Sequence, residues 1–206
     1  VGDKSTSTGV RTGYLLCLLS ALTVNTAASA SSLSQPLMKI VEAGKSSGQV
    51  AAVAEAVIAA NCLLTIGADA SPLLTVIADT DKCPLYQDKF LTGAGAGALA
   101  SLSSLVTTLL TRHVDAVTDV TQLYKCLAHC LLSASSHVRG QAVKDVSGVG
   151  KTLGGVSDIG KILGEVSRMM KNVTRERMEA GQGGEIGASD SVCVTSVLSS
   201  ASGIVS

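Results

Sequence analysis

Apolar residues recur along this chain at steps of three and four, the period of an α-helix, and strand-like alternation is nearly absent. The spacing predicts helices over 9–24, 33–44, 49–66, 72–80, 88–111, 116–132, 136–152, 156–179 and a shorter one over 191–199. Between them lie TAASASS (26–32), GKSSGQ (44–49), GADASP (67–72), DTDKCP (79–84) and LSASSH (132–137). These are short polar links of the kind that join neighbouring helices. Residues 180–190, AGQGGEIGASD, read as a flexible linker, which leaves 1–179 as one helical segment and 191–206 as the start of a further helix or repeat. The fold class is all-α.

The clearest pair is VTQLYKCLAHCLL followed by SSHVRGQAVKDVSGVGKTL. Val120, Leu123, Leu127 and Leu131 form one apolar stripe, and Val138, Ala142, Val146, Val149 and Leu153 form another. Ser135 and Ser136 offer an N-cap, and Arg139 falls beside the turn. Neither helix buries its stripe alone, so neighbours must supply the core. That is the logic of a HEAT/armadillo-type α-solenoid of stacked antiparallel helix pairs.

The same region contains the Gly-Lys-Thr of a phosphate-binding loop, Gly150-Lys151-Thr152. The loop's first glycine belongs at position 145, where Asp145 stands and would repel a triphosphate. Gly148, Gly150 and Gly154-Gly155 instead read as a helix end closing in a left-handed turn, with Lys151 placed favourably for the helix dipole.

Composition narrows the function classes. Lys plus Arg equals Asp plus Glu at 16 each, so no net charge points to nucleic acid or a membrane surface. Within that balance, residues 111–178 hold ten basic and six acidic side chains. Only Tyr14, Tyr86, Phe90 and Tyr124 are aromatic, so Leu, Val, Ile and Ala must build the core. The six cysteines follow no framework spacing and read as small buried hydrophobes of a reducing compartment, the cytosol. The chain begins with Val1, as a fragment or processed product would.

Three blocks, VRTGYLLCLLSAL (10–22), KFLTGAGAGALASLSSLVTTLL (89–110) and YKCLAHCLLSASSHVRGQAVKDVSGVGKTLGG (124–155), resemble in order the amino-terminal arm of the HEAT-repeat translational activator of general amino-acid control. The intervening LMKIVEAGKSSGQVAAVAEAVIAANCLL (37–64) resembles a helix pair of the same family. The resemblance implies a cytosolic, ribosome-associated scaffold that activates the kinase phosphorylating the α subunit of initiation factor 2 during amino-acid starvation. In that family the kinase and a partner ATPase bind regions with no counterpart in this chain.

Catalysis needs convergent titratable groups, and His113, His129 and His137 have no partner that spacing supplies. Cys126 and Cys130 share a helix face beside His129, but two thiols without two further spaced ligands do not make a zinc site. No catalytic, cofactor-binding or metal role and no small-molecule substrate is expected. The candidate partner surface is basic: Arg139, Lys144, Lys151, Lys161, Arg168 and Lys171, diluted by Asp145, Asp158 and Glu165 and suited to RNA phosphates.

Two alternatives come from other classes. One is a HEAT scaffold for transport or phosphatase partners. The other is a small-residue helical membrane protein, because the uncharged run 91–110 has the length of a span and pairs Gly93 with Gly97. Six Ser/Thr side chains and the lack of an aromatic belt weigh against a span.

Overall fold

The computed structural model describes residues 8–24, 30–152 and 155–179, and among these every regular element is a helix. In chain order they are α1 (Thr8–Val24), α2 (Ala30–Lys45), α3 (Val50–Thr65), α4 (Ala70–Ile77), α5 (Asp88–Gly93), α6 (Ala96–Arg112), α7 (Val120–Leu131), α8 (Ser136–Gly150) and α9 (Gly155–Glu179). Single 3₁₀ turns occupy Pro84–Tyr86 and Val114–Ala116. Leu153, Gly154, the linker 180–190 and the helix expected at 191–199 lie outside the described residues.

The helices pack in sequence: α1 on α3, α3 on α6 and α6 on α8, with α2 against α3, and α7 against α6, α8 and α9. This is an all-helical array consistent with an α-solenoid. At its centre is α3, VAAVAEAVIAANCLLT, in which the eleven consecutive residues Val53–Leu63 are all buried. A helix apolar on every side is expected to be enclosed by others. Alanines at 54, 56, 59 and 60 let those neighbours come close.

α2 packs against α3 at backbone contact. A Cβ built on Gly44 would overlap the Ala56 side chain and stand 2.7 Å from the Ala52 carbonyl oxygen, a backbone atom that cannot yield.

Two polar residues of α3 have long-range partners. The Arg11 guanidinium on α1 meets Glu55 at 3.1 Å, and the Asn61 amide donates to the Ser101 carbonyl of α6 at 3.3 Å. Each buried polar group is thereby satisfied, and each fixes one helix against α3.

Helix ends account for the main departures from the spacing pattern. α3 stops in a Schellman motif: Gly67 takes φ +67°, its N–H bonds to the Leu64 carbonyl, and the Ala68 N–H reaches Leu63. Gly67 is the only glycine with positive φ among the described residues. Of the glycines expected to close α8 in a left-handed turn, Gly148 and Gly150 do not take positive φ, and Gly154 lies outside the described residues. α8 ends instead with Lys151 still in right-handed helical geometry, its N–H bonded to Gly148.

The single helix expected over 88–111 is two helices. Ala94 and Gly95 adopt extended backbone between α5 and α6, where the helix-poor run Gly93-Ala-Gly-Ala-Gly97 offers little resistance to a break. The run 91–110 is therefore no continuous span, and among the described residues no helix is long and apolar enough to cross a membrane. α2 starts three residues before the expected position, which places Pro36 in its second turn.

The links are tied down by side-chain hydroxyls. Thr80, fully buried, donates to the Asp119 carbonyl at 2.8 Å and accepts from its N–H, while Thr118 donates to the Ala78 carbonyl at 3.1 Å. The Tyr86 hydroxyl, also fully enclosed, donates to the Ile77 carbonyl at 3.1 Å.

Two glycines separate close approach from helix propensity. Gly44→Ala is expected to destabilise the fold by about 1–3 kcal/mol through overpacking, even after the roughly 1 kcal/mol that alanine gains in a helix. Gly140→Ala, on α8 with open space around its Cβ, is expected to stabilise by up to about 1 kcal/mol. Urea denaturation of both variants measures the difference.

Candidate functional site

Asp145, the residue that breaks the phosphate-loop pattern, joins two helices. Its carboxylate on α8 accepts from the Ser103 hydroxyl at 2.7 Å, the Ser104 hydroxyl at 3.2 Å and the Gln141 amide at 3.0 Å. Gln141 also donates to Ser104 at 3.1 Å, which closes a polar network across the α6–α8 seam. Burial pushes the carboxyl above its ordinary range, and the three donors pull it back in part. Asp145 thus points into the seam and does not dilute the basic surface.

The six basic candidates separate into engaged and unengaged groups. Arg139 donates from one Nη to the carbonyls of Ser133 and Ala134, both at 2.8 Å, and so closes the α7–α8 turn. Ser135 is the N-cap residue of α8, but its hydroxyl makes no capping bond. On α9, Lys161 reaches Asp158 at 3.2 Å and lies 5.4 Å from the centre of the Tyr124 ring, while Arg168 pairs with Glu165 at 2.6 Å. Asp158 also accepts from the Tyr124 hydroxyl at 2.7 Å, fixing α9 to α7.

Lys144, Lys151 and Lys171 are exposed and make no ion pair among the described residues. Lys144 and Lys151 are seven residues apart, two turns of α8, and share a face; Arg139 lies about 140° round the same helix. Lys161 and Arg168 share a face of α9 by the same spacing, with Lys171 about 60° away. The candidates therefore form one stripe on each of two packed helices, with Arg139 assigned to the turn.

The thiols and histidines take up other positions. Among the described residues Cys62, Cys83, Cys126 and Cys130 are buried, and Cys17 is exposed. The Cys126 thiol meets the Tyr86 carbonyl and the Cys130 thiol the Leu99 carbonyl, and burial pushes Cys130 up to about 12. At that value a thiol stays protonated at neutral pH. Burial lowers the pKa of His129, which bonds to the Leu91 backbone, so its ring is neutral at pH 7. His137 is exposed. No cluster of three or more His, Cys, Asp or Glu side chains is placed to hold a metal among the described residues.

The sequence has relatives among known proteins. Most of the chain aligns with the human stalled ribosome sensor GCN1. The identity is 33% over 162 aligned residues, covering 74% of this chain and 6% of that protein, and the mouse stalled ribosome sensor GCN1 aligns to the same extent. The chain thus spans a small part of the relatives it matches. No protein-family model matches the sequence, and no solved structure matches it.

The Asp145 network gives a pH signature. A carboxyl whose folded pKa is raised holds a proton in the folded state at pH values where the unfolded chain has lost it. Its contribution to stability is therefore complete below the ordinary carboxylate pKa and declines as pH rises through the folded value. Asp145→Asn keeps the shape and lets the serine hydroxyls turn to accept. The variant is expected to lose this decline, measured as a flatter urea midpoint against pH between about pH 4 and 7.

Proposed function

We propose that this chain is a non-catalytic segment of a HEAT-type α-solenoid scaffold that associates with translating ribosomes in the cytosol. Its parent protein would activate the kinase that phosphorylates the α subunit of initiation factor 2 in amino-acid starvation. The observation that carries this reading is the alignment of three quarters of the chain with a protein described as a stalled ribosome sensor. The helix order agrees with it: α2 with α3 and α7 with α8 are sequential neighbours that pack together, and α1, α3, α6 and α8 form a row.

In such a segment α3 and its partners supply rigidity and curvature, and contacts with large partners are made by exposed side chains. Lys144, Lys151 and Lys171 are the cations free to meet RNA phosphates, because Arg139, Lys161 and Arg168 are already paired. Kinase and ATPase binding are assigned to regions of the parent outside this chain. A HEAT scaffold for transport or phosphatase partners predicts the same helices without ribosome association, so sedimentation separates the two.

In a sucrose gradient of cell extract, the parent protein is expected to migrate with polysomes, to shift when EDTA splits the subunits and to ignore detergent. Recovery only at the top of the gradient would contradict ribosome association, and pelleting released by detergent alone would point to a membrane. Substituting Lys144, Lys151 and Lys171 with Gln is expected to weaken binding to purified ribosomes and flatten its salt dependence. The log–log slope should fall by roughly 0.7–0.9 for each lysine that meets a phosphate.

A further inference from the structure

α8 and α9 interleave cations with glycines on the side away from the core. On α8, Gly140, Lys144, Gly148 and Lys151 follow one another at steps of four, four and three, opposite the buried Val138, Ala142, Val146 and Val149. On α9, Ser157, Gly160, Gly164, Arg168 and Lys171 run at the same steps opposite Ile159, Ile162 and Val166, and all five are exposed. Neither stripe contains an apolar or an acidic side chain.

Packing does not require these glycines. A Cβ built on Gly140, Gly148, Gly160 or Gly164 meets nothing within 4 Å, and none of the four takes positive φ. Each weakens its helix relative to alanine. What glycine supplies at such a position is access, because a ligand can lie directly against the backbone.

We propose that the two stripes seat the sugar–phosphate backbone of double-stranded RNA, with Lys144, Lys151 and Lys171 on its phosphates and the glycines letting it lie close to the helices. This rests on the reading of those lysines as phosphate contacts and adds the form of the nucleic acid. Asp145 is turned into the α6–α8 seam, and Asp158 and Glu165 beside the α9 stripe are taken up by Lys161 and Arg168. The charges left without an ion pair on these faces, among the described residues, are therefore positive.

The aromatic side chains decide between one strand and two. Single strands are held largely by stacking their bases on aromatic rings. Tyr86, Phe90 and Tyr124 are buried and Tyr14 stands on α1, so neither stripe has a ring to offer. A duplex keeps its bases stacked internally, and A-form RNA is met by shape and backbone contacts across its shallow minor groove. The same faces are unsuited to a membrane surface, which a helix enters by burying an apolar side.

The test is fluorescence anisotropy of a labelled RNA duplex of about 20 base pairs titrated with the 206-residue chain, beside a uridine oligomer of equal length. The duplex is expected to bind at least about tenfold more tightly than the oligomer. Gly140→Leu combined with Gly164→Leu adds bulk without charge at two open positions. Its melting temperature is expected to rise while its duplex affinity falls about tenfold, and Gly140→Ala with Gly164→Ala should give a smaller loss. A variant that melts higher and binds less has not lost binding through unfolding; should the leucine pair melt lower, the alanine pair decides. Unchanged duplex affinity in the glycine variants would overturn the proposal, as would equal affinity for the oligomer or tighter binding to phosphatidylserine vesicles. Unchanged duplex binding by the glycine variants alongside weakened ribosome binding by the lysine variants sinks this proposal alone. Tight duplex binding by a protein absent from polysomes sinks the ribosomal reading alone.

Discussion

The enclosure of α3 is the constraint on which the remaining packing depends. Burying Val53, Val57, Ile58 and Leu63 on different sides of one helix gives each neighbour an apolar surface to cover, at about 1.5–3 kcal/mol per side chain. Alanine and Gly44 set how near those neighbours come, so α2 reaches backbone contact that no larger residue permits. With few aromatics available, the chain fills space by close approach of small residues rather than by bulk. The cost is sensitivity, because a single added methyl at such a seam has nowhere to go.

Polar groups then fix what the apolar surfaces leave free to slide. Glu55 with Arg11, Asn61 with Ser101, and Asp145 with Ser103, Ser104 and Gln141 each join two helices at one register. Buried polar groups demand their partners, so each pair penalises a shifted alternative more than it rewards the native one. The same economy decides the exposed surface. Asp145 faces inward, Arg139 serves a turn, and Lys161 and Arg168 have partners, which leaves Lys144, Lys151 and Lys171 as the candidates with no ion pair among the described residues.

Helix existence was legible in the sequence because the apolar period is strong, and the α7–α8 pair follows its stripes closely: Leu123, Leu127, Leu131, Val138, Ala142, Val146 and Val149 are all buried. The break at Ala94-Gly95 was hidden because apolar spacing runs on through it, while the break itself is a backbone event. Among the described residues Gly67 is the glycine that adopts the left-handed turn. Gly148 and Gly150 did not, since nothing in composition separates a glycine that needs positive φ from one that merely tolerates a helix. The role of Asp145 was hidden for a related reason: its serine partners lie some forty residues away, and only packing brings them near. The candidate surface was legible in its charge but not in which charges are free.

Hydrogen–deuterium exchange along the isolated chain tests the dependence on α3 most directly. If the array rests on its enclosure, amides of residues 53–63 should exchange slowest, through global unfolding alone, with α1 and α9 opening earlier at the two ends. Exchange in α3 as fast as in α9, or an α7–α8 pair that stays protected after α3 has exchanged, would contradict the account.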